Sequence, residues 1–316
     1  MIKISCVMSV YNETEELVTR AIYSILKQTY PIKEFIIIID NPNAKDLYKK
    51  VISIAERNSE LDWQVIMNEN NIGLPASLNK GISLAKNDYI ARMDADDEAL
   101  NNRIIDSVYL MERLGVDFVT TAVEVVDEQG NLVDKQRDYP HSVKGINKMG
   151  KYVSCVVHPT WLFNKRIWID LGGYREELIT AQDFDFQSRC LKKGFAIATT
   201  DSVGLKYTVR DNSISGSKRH IQSFLAAYIQ NYVWNDKEFD KSIIDKIRSG
   251  QYSDFERFVK AFDGFFDAGS KTKRIKNLLV GITQSSYFRK FVRNVYIGKK
   301  YCNYYINSER INRRGE

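Results

Sequence analysis

Three carboxylates stand within four positions of the segment ARMDADDEAL, residues 91–100: Asp94, Asp96 and Asp97. The segment directly follows an apolar run typical of a β-strand. Carboxylates that lie this close repel each other, so a positive charge should share their site. Hard oxygen ligands suit Mg²⁺ or Mn²⁺, which in turn bind diphosphate oxygens. Asp94 and Asp96 are therefore the predicted metal ligands, whereas Asp97 has the alternative role of capping a helix predicted to begin near Glu98.

The elements that must position these carboxylates alternate between β-rich runs and amphipathic stretches. Strand followed by helix, repeated in this way, predicts an α/β fold with a doubly wound, mostly parallel sheet. The run EFIIIID is apolar along most of its length, as expected for a strand buried on both faces of such a sheet. Asn12 is the predicted N-cap of the first helix. The predicted strands are 5–10, 34–40, 62–67, 88–94 and 117–123, and the predicted helices are 13–28, 44–57, 74–85 and 99–114.

Polar side chains follow three of these strands at the point where each strand ends. They are the segment SVYNE after the first strand, Asp40 and Asn41 after the second, and the acidic group that begins at Asp94 after the fourth. Ligands of doubly wound sheets bind outside the carboxyl ends of the strands. We therefore expect one ligand site at this edge, although strand ends are also polar in proteins that bind nothing there.

The remainder of the chain divides into an irregular middle and a helical end. VSCVVHPTWLF, residues 153–163, predicts one or two strands, and AQDFDFQSRCLKKG, residues 181–194, predicts a helix. From about residue 217 the pattern is helical and aromatic, without a comparable β signal. The predicted organisation is therefore one domain over residues 1–216 and a helical, basic region over residues 217–316.

Composition excludes several classes of protein. Of the 316 residues, 44% are hydrophobic and 27% are charged, which is typical of a globular chain rather than a disordered one. No stretch reaches the ~20 apolar residues of a membrane span, and the N-terminus lacks the pattern of a secretory signal. Four scattered cysteines lack the spacing of a zinc site and suit a reducing compartment. The predicted location is therefore the cytoplasm.

The positive charge of the chain lies in its tail. Residues 271–316 hold twelve Lys or Arg against two Glu, so the rest of the chain holds 34 of the 46 basic and 38 of the 40 acidic residues. Apolar residues alternate with the basic ones in this tail, which predicts a cationic amphipathic surface suited to an anionic membrane. The alternative is a helical appendage with a solvated basic face. No recognised nucleic-acid motif accompanies the charge, so we expect no nucleic-acid partner.

The order of several motifs resembles glycosyltransferase family 2. The motifs span about residues 3–215 and are VMSVYNE, FIIIID, NENNIGLPASLNKGISLAKNDYIARMDADD, HPTWLF, LGGYRE and AQDFDF. The resemblance implies the GT-A fold and an inverting, metal-dependent transfer of a sugar from a nucleotide donor to a glycan or lipid-linked acceptor. It implies UDP as the nucleotide, Mn²⁺ or Mg²⁺ as the metal, and a role in making bacterial surface polysaccharide such as capsule or O-antigen. The enzyme would then work at the inner face of the plasma membrane.

The resemblance also implies which residues bind the nucleotide. Tyr11 matches the aromatic residue that stacks on the base, and Glu13 and Asp40 match the polar groups that line the uracil and ribose pocket. Asn71 and Gly73 match the segment that closes over the nucleotide.

Further implied roles concern the diphosphate and the metal. Arg92 would reach a phosphate, Asp94 would face the ribose or the sugar of the donor, and Asp96 would be the main metal ligand. Many relatives complete the metal site with a His after the last strand of the domain. Thr208 and Arg210 stand there in this chain, so the resemblance implies that water completes the coordination or that Arg210 contacts the diphosphate.

Asp183 is the implied catalytic residue. It matches a family carboxylate that acts as general base and removes the proton of the acceptor hydroxyl as that oxygen attacks the anomeric carbon. Gln182 replaces the Glu that usually precedes it, which spares Asp183 one like charge that would raise its pKa. Asp185 is a rival for the base. His158 and Trp161 are implied to lie on the acceptor side, with a structural role in the core as the alternative for both.

Other functions are weighed against this resemblance. A sugar nucleotidyltransferase would share the nucleotide-binding fold, but it normally has a Gly-rich basic loop after the first strand, whereas SVYNETEE is acidic and free of glycine. A dehydrogenase is excluded because no G-x-G-x-x-G follows that strand. A degenerate protein that only binds nucleotide sugar or glycan is the non-enzymatic alternative, and the joint presence of Asp94, Asp96 and Asp183 argues against it.

Overall fold

The computed structural model describes residues 2–134, 139–178, 180–209 and 219–314. It has a nine-stranded sheet whose strands alternate with helices, and further helices follow the last strand. The strands are β1 (Ile4–Val10), β2 (Glu34–Ile39), β3 (Asp62–Met67), β4 (Tyr89–Asp94), β5 (Glu98–Ala99), β6 (Phe118–Val126), β7 (Leu132–Asp134), β8 (Leu162–Asn164) and β9 (Ile197–Thr208). The helices are α1 (Glu15–Leu26), α2 (Lys45–Arg57), α3 (Leu74–Leu84), α4 (Arg103–Leu114), α5 (Val143–Met149), α6 (Lys165–Leu171), α7 (Gln182–Lys192), α8 (Arg219–Trp234), α9 (Lys241–Arg248), α10 (Ser253–Phe266), α11 (Lys271–Gln284) and α12 (Ser286–Arg314). The predicted α/β fold with a C-terminal helical region is confirmed.

The sheet runs in the order β3-β2-β1-β4-β8-β6-β9-β5, with β7 paired to β6. Strands β3, β2, β1 and β4 are parallel neighbours, β6 is parallel to β9, and β8 runs antiparallel between β4 and β6. The mostly parallel sheet is therefore confirmed. In the register of the parallel part, Val10 pairs with Ile39 and Ser9 pairs with Asp94. The carboxyl ends of β1, β2 and β4 thus lie side by side, and their polar residues meet at one edge.

Alternate side chains of the central strands enter two hydrophobic cores, one on each face of the sheet. Cys6 and Met8 of β1 belong to one core and Val7 belongs to the other. Helices α1, α2 and α4 cover the first core, and α3, α5, α6 and α7 cover the second. All six residues of β2 are buried, which confirms a strand covered on both faces. Burial of each large aliphatic side chain contributes roughly 2 kcal/mol, so this double core fixes the strand ends that carry the site.

The segment after β4 differs from the prediction. The predicted helix over residues 99–114 begins only at Arg103, because Glu98 and its neighbour pair with Lys206 and Leu205 of β9 as the short strand β5. The acidic segment therefore turns into a strand pair rather than directly into a helix.

Of the one or two strands predicted within residues 153–163, the structure has one, which begins only at Leu162. A 3₁₀ turn over His158–Thr160 precedes it, because Pro159 has no N–H to give to a strand ladder. The predicted N-cap of the first helix is wrong. Asn12 does not cap α1. Thr14 does so instead, its hydroxyl accepting the N–H of Leu17 at 3.4 Å.

The C-terminal helices share a hydrophobic core with the sheet domain. Phe224 and Tyr228 of α8 lie in one cluster with Phe184 of α7 and with Leu178 from the loop before it. Other buried members of this cluster are Phe258, Phe262 and Phe288. The boundary predicted between residues 216 and 217 lies outside the described residues, and the division into two domains stays a prediction.

The last helix, α12, returns to the sheet domain at its far end. The Glu309 carboxylate accepts the N–H of His141 at 3.0 Å and the N–H of Ser142 at 3.1 Å, at the start of α5. The ring of Tyr301 stacks on Tyr152 with the ring centroids 5.9 Å apart. These contacts attach α12 to the sheet domain at a second place, in addition to the core around α8.

Candidate active site

A tight turn after β4 brings the three predicted carboxylates together. One oxygen from each of Asp94, Asp96 and Asp97 lies within 4.8 Å of the other two. Asp94 ends the strand and is partly exposed, with 27% of its side chain accessible, whereas Asp97 is buried. The chain therefore presents one concentrated negative site at the carboxyl edge of the sheet. We call these three residues the acidic turn.

Arg92 is the positive charge that shares this site. Its Nη2 forms an ion pair with Oδ1 of Asp94, and its side chain is only 2% exposed. Burial pushes the pKa of Arg92 down, but Asp94, together with Tyr174 and Asp97, more than offsets this, so the guanidinium stays charged. A second buried arginine, Arg103, donates from Nη2 to the carbonyl of Arg92. Arg92 thus pairs with Asp94, while its Nε and Nη1 have no hydrogen-bond partner among the described residues. Its contact with a donor phosphate stays a prediction.

Asp97 is the innermost carboxylate of the acidic turn. Its Oδ1 accepts the N–H of Thr208 at 2.8 Å, and its Oδ2 has no hydrogen-bond partner among the described residues. Burial raises the pKa of Asp97 well above its usual value, and the charges of Asp94 and Asp96 raise it further. The alternative that Asp97 caps a helix is wrong, because α4 begins only at Arg103.

The acidic turn has the donor set of a divalent cation site. Three carboxylates supply hard oxygen ligands, which Mg²⁺ and Mn²⁺ prefer. The buried Oδ2 of Asp97 lacks a partner in the described protein, and such an atom is satisfied when a cation lies near it. The residues present therefore fit a divalent ion, and Asp94 and Asp96 stay its predicted ligands.

The backbone of the acidic turn is held from two neighbouring elements. The hydroxyl of Thr208, at the end of β9, donates to the Asp96 carbonyl at 2.6 Å, and Nη2 of Arg20, on α1, donates to the same carbonyl at 3.0 Å. The sequence predicts Thr208 near the metal site but does not predict Arg20, because an arginine in an amphipathic helix is expected to be exposed to solvent. Arg210, the other residue predicted here, lies outside the described residues.

Asp40, at the end of β2, holds the loop that leads into α3. Only 2% of Asp40 is exposed, and its Oδ1 accepts the side-chain amide of Asn68 at 2.8 Å and the N–H of Ile72 at 2.9 Å. Its Oδ2 accepts the N–H of Gly73 at 2.8 Å. Gly73 has a φ of 86°, which a glycine adopts at little cost. Asp40 therefore positions the segment predicted to close over the nucleotide, and its direct contact with uracil or ribose stays a prediction.

Tyr11 and Glu13 lie on the loop after β1. Tyr11 is 45% exposed, which leaves its ring accessible for stacking, and its N–H donates to Oε2 of Glu13 at 2.7 Å. The side-chain amide of Asn41 donates to the Tyr11 carbonyl at 3.2 Å and so ties this loop to the end of β2. Asn71 accepts the Gly73 N–H at 2.9 Å within its own turn. These residues lie on loops that leave adjacent strand ends, as the prediction of a nucleotide pocket requires.

Asp183 lies in the first turn of α7. The helix is entered through Ala181, whose φ of 60° is uncommon for a residue other than glycine. The Oδ1 of Asp183 accepts the N–H of Phe184 at 2.8 Å. Burial raises the pKa of Asp183; the Phe184 bond and the charge of Arg92 lower it, and Asp94 raises it. Asp183 thus lies within electrostatic range of the acidic turn, which is what a base acting on the same donor needs.

Asp185, two residues further along α7, is a structural residue. It is fully buried, its Oδ2 accepts from Nε of Arg189 at 2.8 Å, and its Oδ1 lies 3.5 Å from Nε of Arg175. The hydroxyl of Tyr232, on α8, also donates to Oδ1. A carboxylate with both oxygens bound in the interior has none to offer to an acceptor hydroxyl. The expectation that Asp185 rivals Asp183 as the base is therefore corrected.

Asp185→Asn is expected to lower the free energy of unfolding by about 3 kcal/mol, because it removes the buried carboxylate that neutralises the partly exposed guanidinium groups of Arg175 and Arg189. Urea unfolding followed by circular dichroism measures the change. Asp183→Asn is the matched control on the same helix: the Asp183 carboxylate accepts the N–H of Phe184, which an amide oxygen also accepts, so this substitution should cost little stability. Equal stability of the Asp185→Asn variant and the unmodified protein would contradict the structural role.

His158 and Trp161 lie beneath the acidic turn rather than on an open acceptor surface. Nε2 of His158 is 2.9 Å from the Tyr174 hydroxyl, and burial, helped by Arg92, lowers the pKa of His158 well below its usual value. His158 is therefore neutral at pH 7. Trp161 is fully buried, with its ring edge against Phe118 at a centroid distance of 4.9 Å. The expected acceptor-side wall at Trp161 is corrected to a core position. His158 is buried against Tyr174, and its acceptor-side role stays a prediction.

Known sequences resemble this chain over much of its length. Residues 5–172 match the family model described as Glycosyl transferase family 2. The uncharacterized glycosyltransferase MJ1057 of Methanocaldococcus jannaschii is 34% identical over 240 residues, which cover 74% of this chain and 80% of that protein. The O-antigen biosynthesis glycosyltransferase WbnJ of Escherichia coli is 31% identical over 191 residues, or 60% of this chain and 72% of WbnJ. The amylovoran biosynthesis glycosyltransferase AmsE of Erwinia amylovora is 27% identical over 229 residues, which cover 72% of this chain and 84% of AmsE.

Solved structures also resemble this fold. S. aureus TarS, residues 1–349, in complex with UDP-GlcNAc aligns with a TM-score of 0.61 at 17% sequence identity, covering 100% of this chain and 93% of that chain. At this identity the likeness concerns the fold alone, and it confirms the expected GT-A fold.

Proposed function

Because the chain belongs to glycosyl transferase family 2, we propose that it is a metal-dependent, inverting transferase that moves a sugar from UDP to a hydroxyl of a glycan or lipid-linked acceptor. One observation carries the proposal: three carboxylates converge at the acidic turn beside the buried Arg92, which pairs with Asp94. The charge of Arg92 also acts on Asp183. WbnJ and AmsE, named for O-antigen and amylovoran biosynthesis, support a polysaccharide product. The UDP-GlcNAc complex of TarS supports UDP as the nucleotide.

Asp183 is the general base in this proposal. It takes the proton of the acceptor hydroxyl while the acceptor oxygen forms a bond to the anomeric carbon of the donor sugar. The bond from that carbon to the β-phosphate oxygen breaks, and its electron pair leaves with the diphosphate. A single displacement of this kind inverts the anomeric configuration. Burial raises the pKa of Asp183 and makes its carboxylate a stronger base than an exposed aspartate, as proton abstraction requires.

The chain's other residues bind and orient the donor. Asp94 and Asp96 would hold Mn²⁺ or Mg²⁺, which supplies the positive charge that stabilises a departing diphosphate. Arg92 keeps Asp94 in place through their ion pair. The accessible ring of Tyr11 receives the base, and Asp40 holds the loop at Gly73 that covers the nucleotide. Most of the binding machinery thus stands on strand ends, which are the rigid part of the fold.

The location of the protein and its membrane contact are part of the same proposal. Within the described ranges, we find no helix with both the length and the apolar character needed to cross a membrane. The concentration of positive charge in residues 271–316 supports a cytoplasmic protein that reaches its acceptor at the inner face of the plasma membrane.

A panel of nucleotide sugars tests the proposal. The full-length protein is incubated with each UDP-, GDP- and dTDP-sugar and Mn²⁺, and release of the nucleoside diphosphate is measured. We expect release from one or two UDP-sugars, its loss in EDTA, and its return when Mn²⁺ is added in excess. Mn²⁺-dependent binding of UDP without any release would favour a binding scaffold. Formation of pyrophosphate from UTP and a sugar phosphate would favour a nucleotidyltransferase, and either result would overturn the proposal.

A further inference from the structure

The outer face of α11 exposes large apolar side chains next to basic ones. Ile275, Leu279 and Val280 are 52%, 58% and 42% exposed, and on a helix their spacing places them on one side. Lys273 and Lys276 are also exposed and lie on the same side. The opposite side of α11 carries the buried Gly281, against which Phe288 of α12 packs. We call Lys273, Ile275, Lys276, Leu279 and Val280 the α11 outer face.

The charge of the chain has one sign from α11 through most of α12. No acidic residue occurs in the sequence between Asp267 and Glu309, whereas nine Lys or Arg do. A solvated basic face would explain exposed lysines, but it gives no reason to expose three large aliphatic side chains among them, since such apolar patches mark interaction sites. An apolar centre with cationic neighbours is the pattern of helices that lie in the headgroup region of an anionic bilayer.

A cavity of about 530 Å³ lies at the junction of α10 and α11, beside the outer face. Its lining combines apolar residues, among them Phe265, Ile275 and Leu278, with the basic Lys271 and Arg274. Hydrocarbon contacts and positive charges in one place match the two ends of a phospholipid, an acyl chain and a phosphate. Ile275 belongs both to the cavity and to the outer face, so the two form one continuous surface.

We propose that the α11 outer face is the surface through which this protein docks on an anionic lipid membrane, with its aliphatic side chains entering the headgroup region and its lysines contacting lipid phosphates. The membrane contact is inferred from the exposure and charge of this face alone. Only its purpose, to bring the active site to a lipid-linked acceptor, rests on the proposed function. Point substitutions suit the test better than truncation, because Phe288 and the helices around it belong to a core shared with α7.

Flotation of the full-length protein with vesicles measures the docking. Phosphatidylglycerol–phosphatidylethanolamine vesicles should bind the unmodified protein, pure phosphatidylcholine vesicles should not, and added salt should weaken the binding. The triple variant Ile275→Ser, Leu279→Ser, Val280→Ser should lose at least about tenfold in affinity, because burial of aliphatic area contributes to interfacial binding. Lys273→Glu with Lys276→Glu should lose as much or more.

Matched controls lie on other helices. Ile169→Ser removes an aliphatic side chain that is 60% exposed on α6, and Lys45→Glu with Lys49→Glu reverses two exposed charges on α2; both should float like the unmodified protein. If the lysine variant loses binding but the serine variant keeps it, the contact with the vesicle is purely electrostatic, and the proposed entry of the aliphatic side chains into the headgroup region is overturned. Flotation of both α11 variants to the same extent as the unmodified protein would overturn the docking proposal as a whole. UDP titration in solution should be the same for all variants, so failure of the proposed transferase activity would be seen separately from failure of docking.

Discussion

Asp183→Asn is expected to lower UDP release from the preferred donor by about a thousandfold, the middle of the range for a positioned general base. Binding of UDP should not change. The amide has nearly the size of the carboxylate and still accepts the N–H of Phe184, but it cannot take a proton. Steady-state release measures the rate, and calorimetric titration of the same protein with UDP and Mn²⁺ measures binding.

Asp245→Asn is the control for this variant, since its side chain is 69% exposed on α9 and its loss should not alter the rate. Unchanged release by the Asp183→Asn protein would remove Asp183 from the chemistry. The pH profile gives a second readout. Burial raises the pKa of Asp183, so the ionised base is present above that raised pKa and is lost as the pH falls through it. The rate should therefore fall on the acidic side of the profile with an apparent pKa above the ordinary aspartate value of ~4. An apparent pKa at or below that value would contradict the assignment.

Asp96→Asn is expected to weaken Mn²⁺ binding by roughly a hundredfold or more, because loss of even an outer-shell partner of a metal commonly costs tenfold to a hundredfold. The substitution removes one negative ligand from the acidic turn but leaves intact the carbonyl of residue 96, to which Thr208 and Arg20 donate. Electron paramagnetic resonance of free Mn²⁺ measures the affinity without any need for turnover. Mn²⁺-dependent binding of UDP should fall in parallel.

Glu98→Gln is the matched control for the metal site. It removes a carboxylate two residues further along, which pairs with Lys206 at 3.1 Å rather than with the acidic turn. Its Mn²⁺ affinity should equal that of the unmodified protein. Equal loss in both variants would show that the ion responds to the general negative charge of this region, and the assignment of Asp96 as a ligand would fail.

Much of the fold follows from periodicity and from residue types. The buried run of β2 and the alternation of strand and helix predicted the parallel half of the sheet, and the rule that ligands bind at carboxyl ends brought together the loops after β1, β2 and β4. Errors arose where pairing over long distance decided the local structure. Glu98 begins a strand only because Lys206, about a hundred residues later, lies opposite it.

The positive partner of the acidic turn also depended on tertiary structure. A local pattern shows that Arg92 lies two residues from Asp94, but not that the side chain turns inward and pairs with it. The same limit applies to Asp185, whose partners Arg175 and Tyr232 come from a loop and from the C-terminal helices. Tertiary packing decides which of these charged side chains are buried together, and neither period nor propensity reports that packing.

The ion pair between Arg92 and Asp94 bears on how the proposed metal site would behave without its ion. A small zinc domain unfolds when a chelator strips it, because the binding free energy of the metal is part of its folding free energy. Here a permanent guanidinium already neutralises one of the three carboxylates, and Thr208 fixes another from the backbone. In the proposed enzyme the ion would therefore be replaceable without loss of the fold, and we expect the chain to stay folded when Co²⁺ takes the place of Mn²⁺ as a spectroscopic substitute.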